Sequence, residues 1–583
     1  MGFVHDGRRR IRPLTISEFR SLMRVSKGIE EADVYFCGGT VCNVYSGEWI
    51  NANVAVKGRH IAYVGMSDQM VGENTRVIDV HDQYIVPGYM EPHAHPFQLY
   101  NPYTFAQFAL LHGTTFLVND NLTLYLTMPI ERMEEFFHEA GQWPVKMTWW
   151  ARFDPQTSSP ESESLFDPVR IRRLLGNPYV LQGGELTAWP QILAGTNDEL
   201  ELNLWEAGNM GKRVEGHMPG ASIETLSAMT AAGVTACHEA MTGEEALRRL
   251  RLGLWTSLRY SSLRPDLPVL IRDLLLSQAD FHRMMMTTDG ATPAFLERGL
   301  TDEMVRVAIE SGLEPMRAYQ MVTVQPAMYY GIDGEVGGIA PGRIADLLLL
   351  SAPTIPTPEQ VWADGKLAAS QGELQIDWKE PDWAYYGQSG LLLDWLTVSE
   401  DFYLQEDEKV YVIDLENPAI TRIREGITAD DLTGILITRD GKHAVRSAVR
   451  GFARRLDGMA SSFTASGDFM ALGRNPAAMQ QALNRVLQIG GGIVLIENGE
   501  VLFELALPLA GKMSKRPLTE LTVENKKLER LLSERGYPHY DLIYTLLFFT
   551  STHLPEVRFT PRGILHVKSG EILVPAKVRR VSL

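Results

Sequence analysis

The chain has 583 residues, with 55 Lys and Arg against 72 Asp and Glu and a formal net charge of −17. That length accommodates roughly three or four domain-sized units, one of which can be a barrel of about 250 residues, and the acidic balance argues against a nucleic-acid or anionic-membrane surface. Small neutral or cationic substrates remain open, and the three scattered cysteines, Cys37, Cys42 and Cys237, fit a reducing compartment better than a disulfide framework, so the cytoplasm is the expected location.

In chain order, the basic opening "MGFVHDGRRRIRPLTISEFRSLMRVSKG" is followed by no apolar stretch of signal-peptide length, and residues 1–30 read as an arm packed on the body. Residues 31–86 alternate strand-like runs with turn signals, as in "DVYFCGGTVCNVYSGEWINANVAVKGRHIAYVGM", which suggests the first part of a small β domain. From 87 to 335, short apolar runs such as "TTFLVND", "VKMTWWARF", "YVLQGGE", "RVEGH" and "VTACHEA" alternate with helical stretches such as "GEEALRRLRLGL". Repeated strand-then-helix units predict an α/β fold with a parallel sheet or barrel. Strands return over 336–382 in "GGIAPGRIADLLLL" and "VWADGKLAAS", as a second part of the small β domain. Residues 383–583 read as a C-terminal α+β domain, with a hairpin turn at Asn498-Gly499. The apolar segment "LIYTLLFFT" is about half the length of a bilayer-spanning helix and is expected in the core, not in a membrane.

The stretch "PGYMEPHAHP" places His93 and His95 two residues apart between Pro92 and Pro96. Proline disfavours a helix here, and in a strand both imidazoles lie on one face, close enough to grip one ion. Four further apolar runs stop at a potential ligand followed by Gly, Pro or Thr: Glu185 in "YVLQGGELTAWP", His217 in "RVEGHMPG", His238 in "VTACHEAMTG" and Asp289 in "RMMMTTDGATP". Singly, each has an ordinary structural explanation, as a helix-terminal carboxylate, a capping or core histidine, or a turn former. Together they supply four imidazoles and two carboxylates, a ligand set suited to Zn, Mn or Fe. In a barrel such groups gather at the C-terminal ends of the strands.

The order H-x-H, Glu, His, His, Asp resembles that of the metal-dependent amidohydrolase superfamily, and within it the bacterial adenine deaminases. The similarity also covers "ADVYFCGGTVCNVYSGE", "GGELTAWPQIL", "CHEAMTGEEALRRLRLG", "GGIAPGRIADLLLL" and "GGIVLIENGEVLFELALPLAGKMS", nearly the whole chain. The resemblance implies a (β/α)8 TIM-like barrel holding two divalent ions, manganese favoured, on His93, His95, Glu185, His217, His238 and Asp289. Glu185 then stands where many superfamily members have a carboxylated lysine. The implied reaction converts adenine or a related aminopurine to the oxo product, hypoxanthine for adenine, and ammonia. A homodimer is expected.

The chemistry of such a reaction assigns roles. Displacing an amino group from the ring requires hydroxide at neutral pH, which a bound metal supplies. Asp289 is placed to take its proton and pass it to the departing ammonia, and Glu239 to protonate the ring nitrogen beside the attacked carbon. The aromatics Phe97, Tyr100, Trp149, Trp150 and Trp189 are candidates to stack on a flat ring. One segment departs from the family: its C-terminal A-H-D-S-H-N type stretch falls on "SSFTASGDFMALG", residues 461–473, which has no histidine. The alternative reading is therefore hydrolysis of a different heterocyclic amine or of a cyclic amide on the same metal site.

Overall fold

The computed structural model describes residues 11–157, 164–404 and 411–579. At its centre lies an eight-stranded parallel sheet whose spatial order follows the chain: Tyr89–Ala94, Thr114–Asn119, Lys146–Ala151, Val180–Leu186, Arg213–Gly216, Ala236–Cys237, Trp255–Arg259 and Met284–Thr287. Parallel ladders join consecutive strands, pairing Leu117 with Met147, Gly216 with Cys237 and Arg259 with Thr287. Among the described residues no ladder joins the first strand to the eighth. Side chains bridge them instead: the buried Glu91 carboxylate accepts from the Thr288 backbone N–H and hydroxyl, both at 2.9 Å, and Thr287 Oγ1 donates to the His93 carbonyl at 2.8 Å. With helices after each strand, this is the (β/α)8 barrel that the strand-helix alternation predicts.

Local sequence explains the alternation. Barrel strands are buried on both faces, so they read as near-continuous apolar runs such as "MMMT". Helix Gly243–Arg251 starts on the Thr242 hydroxyl, which accepts from the Glu245 N–H, and carries Glu244 and Glu245 in its first turn and Arg248, Arg249 and Arg251 in its last. Both ends thus complement the helix dipole. The helical stretch expected to run to Leu254 stops at Arg251, because Gly253, at φ 84°, turns the chain into the seventh strand.

Strands from before and after the barrel in sequence share one sheet. Tyr84–Pro87 pairs with Leu347–Leu350, Leu348 opposite Val86, and with Thr40–Asn43 on its other side. Helix Ile16–Ser26 packs on strand His60–Gly65 through Leu22 and Val25. Ahead of that helix, the buried Arg12 donates to the Gly141 and Trp143 carbonyls and pairs with Asp364, tying the arm to the barrel. Residues 1–10 of the arm lie outside the described residues.

The C-terminal region is built on a nine-stranded sheet backed by helix Pro476–Gln488. Its hairpin turns at Asn498-Gly499, both with positive φ, between Glu497 and Glu500, the two-residue turn that matches strand twist. This region docks on the barrel mouth. The loop after the first barrel strand meets "AGKMS", Ser514 N donating to the Leu99 carbonyl and Asn101 Nδ2 to the Ser514 carbonyl, both at 2.7 Å. Thr552 N–H reaches the Gln156 carbonyl, and Tyr544 OH the Gly290 carbonyl at 2.7 Å. The segment "LIYTLLFFT" forms the short, largely buried helix Leu542–Phe548 and the two residues after it. Among the described residues no helix is long and apolar enough to cross a membrane.

Candidate metal centre

All six candidate ligands converge at the C-terminal ends of the barrel strands. His93 ends the first strand with His95 just beyond it, Glu185 lies on the fourth, His217 and His238 follow the fifth and sixth, and Asp289 follows the eighth. Ligand atoms of His93, His95, Glu185 and Asp289 lie within 4.8 Å of one another, and so do those of Glu185, His217 and His238. Glu185 belongs to both groups. Gly290 makes room for the Asp289 turn: it has φ 72°, and a Cβ there would sit 2.7 Å from the His95 Cβ.

The hydrogen bonds set which ring nitrogens face inward. Glu215 takes His93 Nδ1 at 2.8 Å and His238 Nδ1 at 3.1 Å, and Asp120 takes His95 Nδ1 at 2.9 Å. An ionised carboxylate only accepts, so each Nδ1 carries the proton and each Nε2 of a neutral ring presents a lone pair. His93 Nε2 and His95 Nε2 both sit 3.0 Å from Asp289 Oδ1, and the His93 Nε2 contact lacks hydrogen-bond geometry, leaving that buried atom without a partner. His95 Nε2 hydrogen-bonds Asp289 Oδ1, as a protonated ring does, whereas the unpartnered His93 Nε2 beside the same oxygen marks a place for a cation, and the donor set fits divalent ions.

The electrostatics point the same way. Burial would raise Asp289, Glu185 and Glu239, yet Arg259 and His238 hold Asp289, His217 holds Glu185, and His217 and Arg259 hold Glu239 well below the usual carboxylate range. Burial is likewise overcome at Glu215, which the His93 and His238 rings bring down to about 2. His95 is lifted against its own burial to about 10 by Asp120 and Asp289. The cluster is thus a buried set of ionised carboxylates that attracts positive charge.

Glu239 is buried against His238 Nε2 at 3.2 Å, Arg259 at 2.6 Å and Arg264. Arg259 also reaches Asp289 at 2.6 Å, coupling the two proposed proton carriers through one guanidinium. Sequence reasoning missed Asp120, Arg152, Glu215 and Arg259. Asp120, Arg152 and Arg259 stand at strand ends like the ligands, and Glu215 lies two residues before His217, the same spacing as His93 and His95. Arg152 donates to Glu185 at 3.1 Å.

Above the centre is a cavity of about 850 Å³ whose floor includes His95, Glu185 and His217 and whose roof is C-terminal: Phe463, Lys512, Tyr544, Phe548 and His553. The expected aromatic platform is largely corrected. Only Phe97 of the five named candidates lines the cavity. Trp149 stacks on Phe137 at 4.7 Å, Tyr100 on Phe105 at 5.0 Å, and Trp150 packs against the His93 ring at 4.3 Å, so all three belong to the core; the third strand is buried on both faces. Trp189 Nε1 donates to the His217 carbonyl at 2.7 Å. A histidine does arrive from the C-terminal region, but from outside 461–473: His553 packs edge-on against His217, 5.8 Å between rings, and burial beside that ring holds it neutral, down at about 3.

Comparison with known proteins gives the family. Residues 84–370 match the amidohydrolase family and residues 417–571 the adenine deaminase C-terminal domain. A relative from Bacillus cereus, named "Putative adenine deaminase", is 40% identical over 96% of this chain and 96% of its own. The chain belongs to the adenine deaminase family. Its relative in Halalkalibacterium halodurans, similarly named, is also 40% identical, over 97% of this chain and 99% of its own, and the adenine deaminase of Moorella thermoacetica is 30% identical over 94% and 96%. As a member of this family of metal-dependent hydrolases acting on C–N bonds, the chain has both parts of the family's architecture, barrel and C-terminal domain.

Proposed function

We propose that this chain is an aminohydrolase that replaces the exocyclic amine of adenine or a related aminopurine with oxygen, releasing ammonia. The observation that carries the reading is the pair of ligand groups sharing Glu185 beneath a cavity roofed by the C-terminal domain. His93, His95 and Asp289 would hold one divalent ion and His217 and His238 the other, with Glu185 between. Such ions, when bound, acidify a water enough to supply a nucleophile at neutral pH.

The chain's own residues do the rest. Asp289, held ionised by Arg259 and His238, is ready to accept the proton of the attacking water. A carboxylate held so low gives up that proton readily to the departing amine. Glu239 is equally ionised at the start, so it first takes one proton of the attacking water and hands it to the ring nitrogen, while Asp289 carries the other to the departing amine; Arg259, bonded to both acids, holds the two carboxylates in place. His553, neutral and with its buried Nδ1 unpartnered, supplies an uncharged polar contact to the ring. Resemblance favours manganese, a homodimer and a place in purine metabolism, and the few cysteines favour the reducing cytoplasm.

The test is ammonia release by manganese-loaded protein from adenine, set beside other aminopurines, aminopyrimidines and cyclic amides, with His93→Ala as control. Turnover of an aminopurine, abolished in the variant, is expected. Turnover of cyclic amides alone, with carboxylate formed and no ammonia, would replace this reading with the amide one.

A further inference from the structure

One cation of the cavity is left over by the metal chemistry. Lys512, in "AGKMS", is only 8% exposed and lines the cavity roof. Its Nζ has a single hydrogen bond, to the Ala465 carbonyl at 3.3 Å. Among the described residues no carboxylate lies within the 4.0 Å of an ion pair; Asp468 acts on it only from farther off. The other cations of the wall are committed: Arg259 to Glu239 and Asp289, Arg264 to Glu239 and, at 2.7 Å, to Asp266. His553 is neutral.

A buried ammonium without a counter-charge is costly unless a partner arrives. The cavity, about 850 Å³, lies near the upper end of small-molecule pockets and exceeds what a bare purine fills. With the amine turned to the metals, the far edge of the ring and anything attached to it face the roof. One unanswered positive charge suits one negative charge, a carboxylate, better than a phosphate, which gathers several donors. We propose that Lys512 receives a carboxylate borne by the substrate, so that the heterocycle this chain deaminates carries a single acidic substituent on its edge remote from the amine. The inference rests on the aminohydrolase reading. It also shows why an acidic net charge, which leaves neutral and cationic substrates open, is a poor guide to one local wall.

The test uses full-length, manganese-loaded protein with 9-carboxymethyladenine and its uncharged isostere 9-carbamoylmethyladenine. Wild type is expected to favour the acid in kcat/KM by roughly tenfold or more, the worth of a hydrogen bond between charged groups. Lys512→Met, which keeps the aliphatic stem, should collapse that ratio, and Lys512→Arg should keep it. A wild-type ratio near unity, or an unchanged ratio in Lys512→Met, overturns the proposal. Calorimetric binding of the two matching 6-oxopurine products separates the two readings. A Lys512-dependent preference for the acid in binding, without deamination of any compound, keeps the carboxylate contact at Lys512 and removes the aminohydrolase reading. Deamination with no acid preference in rate or in binding does the reverse.

Discussion

Glu215 Oε2 lies 2.8 Å from His93 Nδ1, although 122 residues separate the two in the chain. Its other oxygen takes His238 Nδ1 at 3.1 Å, so one carboxylate aims two rings, each assigned to a different ion. Glu215→Ala should weaken metal binding by about 10- to 100-fold, measured by competition with a chromogenic chelator. Activity should return at high metal concentration, which a damaged fold would not allow.

Two ions joined through Glu185 predict a stoichiometry. Metal analysis after dialysis should give about two equivalents in wild type and about one in His217→Ala, because the first group of ligands does not need that ring. Removing the ions with a chelator should lower the melting temperature as well as activity, since ligands that bind only the folded state add stability by mass action.

Asp289→Asn removes a proton acceptor while keeping an oxygen of similar shape. We expect kcat to fall by about 10²- to 10⁴-fold with KM changed far less. Metal content measured on the same sample separates loss of proton transfer from loss of an ion.

Lys512 gives a pH prediction. Burial brings its ammonium down to about 8, with Arg439 adding to the effect and Asp468 opposing it, against about 10.4 for a free lysine. The unfolded chain therefore binds this proton more tightly than the folded one. The folded state is disfavoured by it throughout the pH range below about 8, and gains stability as pH rises from there towards 10.4. The full gain is on the order of 3 kcal/mol. Urea denaturation of wild type and Lys512→Met should give a stability difference that is flat below pH 7 and shifts in favour of wild type above pH 8. A difference that stays constant across that range would show the ammonium to be solvated.

The barrel and its ligands were legible because both obey local rules. Each barrel strand is an apolar run closed by a turn, and each of the six ligands is the polar residue at such a closure, or two residues from another. The same rule, extended from ligand types to any charged residue, reaches Asp120, Arg152 and Arg259 as well. The seventh strand, Trp255–Arg259, begins directly where the helical reading of "GEEALRRLRLGL" ends, at Leu254. Lys512, Tyr544 and His553 obey no rule of spacing. Loops of the C-terminal region carry them to the mouth, held there by backbone bonds such as Ser514 N to the Leu99 carbonyl, and only the docked chain brings them near the metal ligands.

That docking divides the labour between two stretches of sequence. Every group assigned to a metal or a proton comes from residues 93–289, whereas the C-terminal lining comes from residues 417–555. Mutations in the second stretch can change what is admitted without disturbing how it is cut. Over evolutionary time such a chain is free to keep its reaction and exchange its diet, and relatives with similar barrels need not share a substrate.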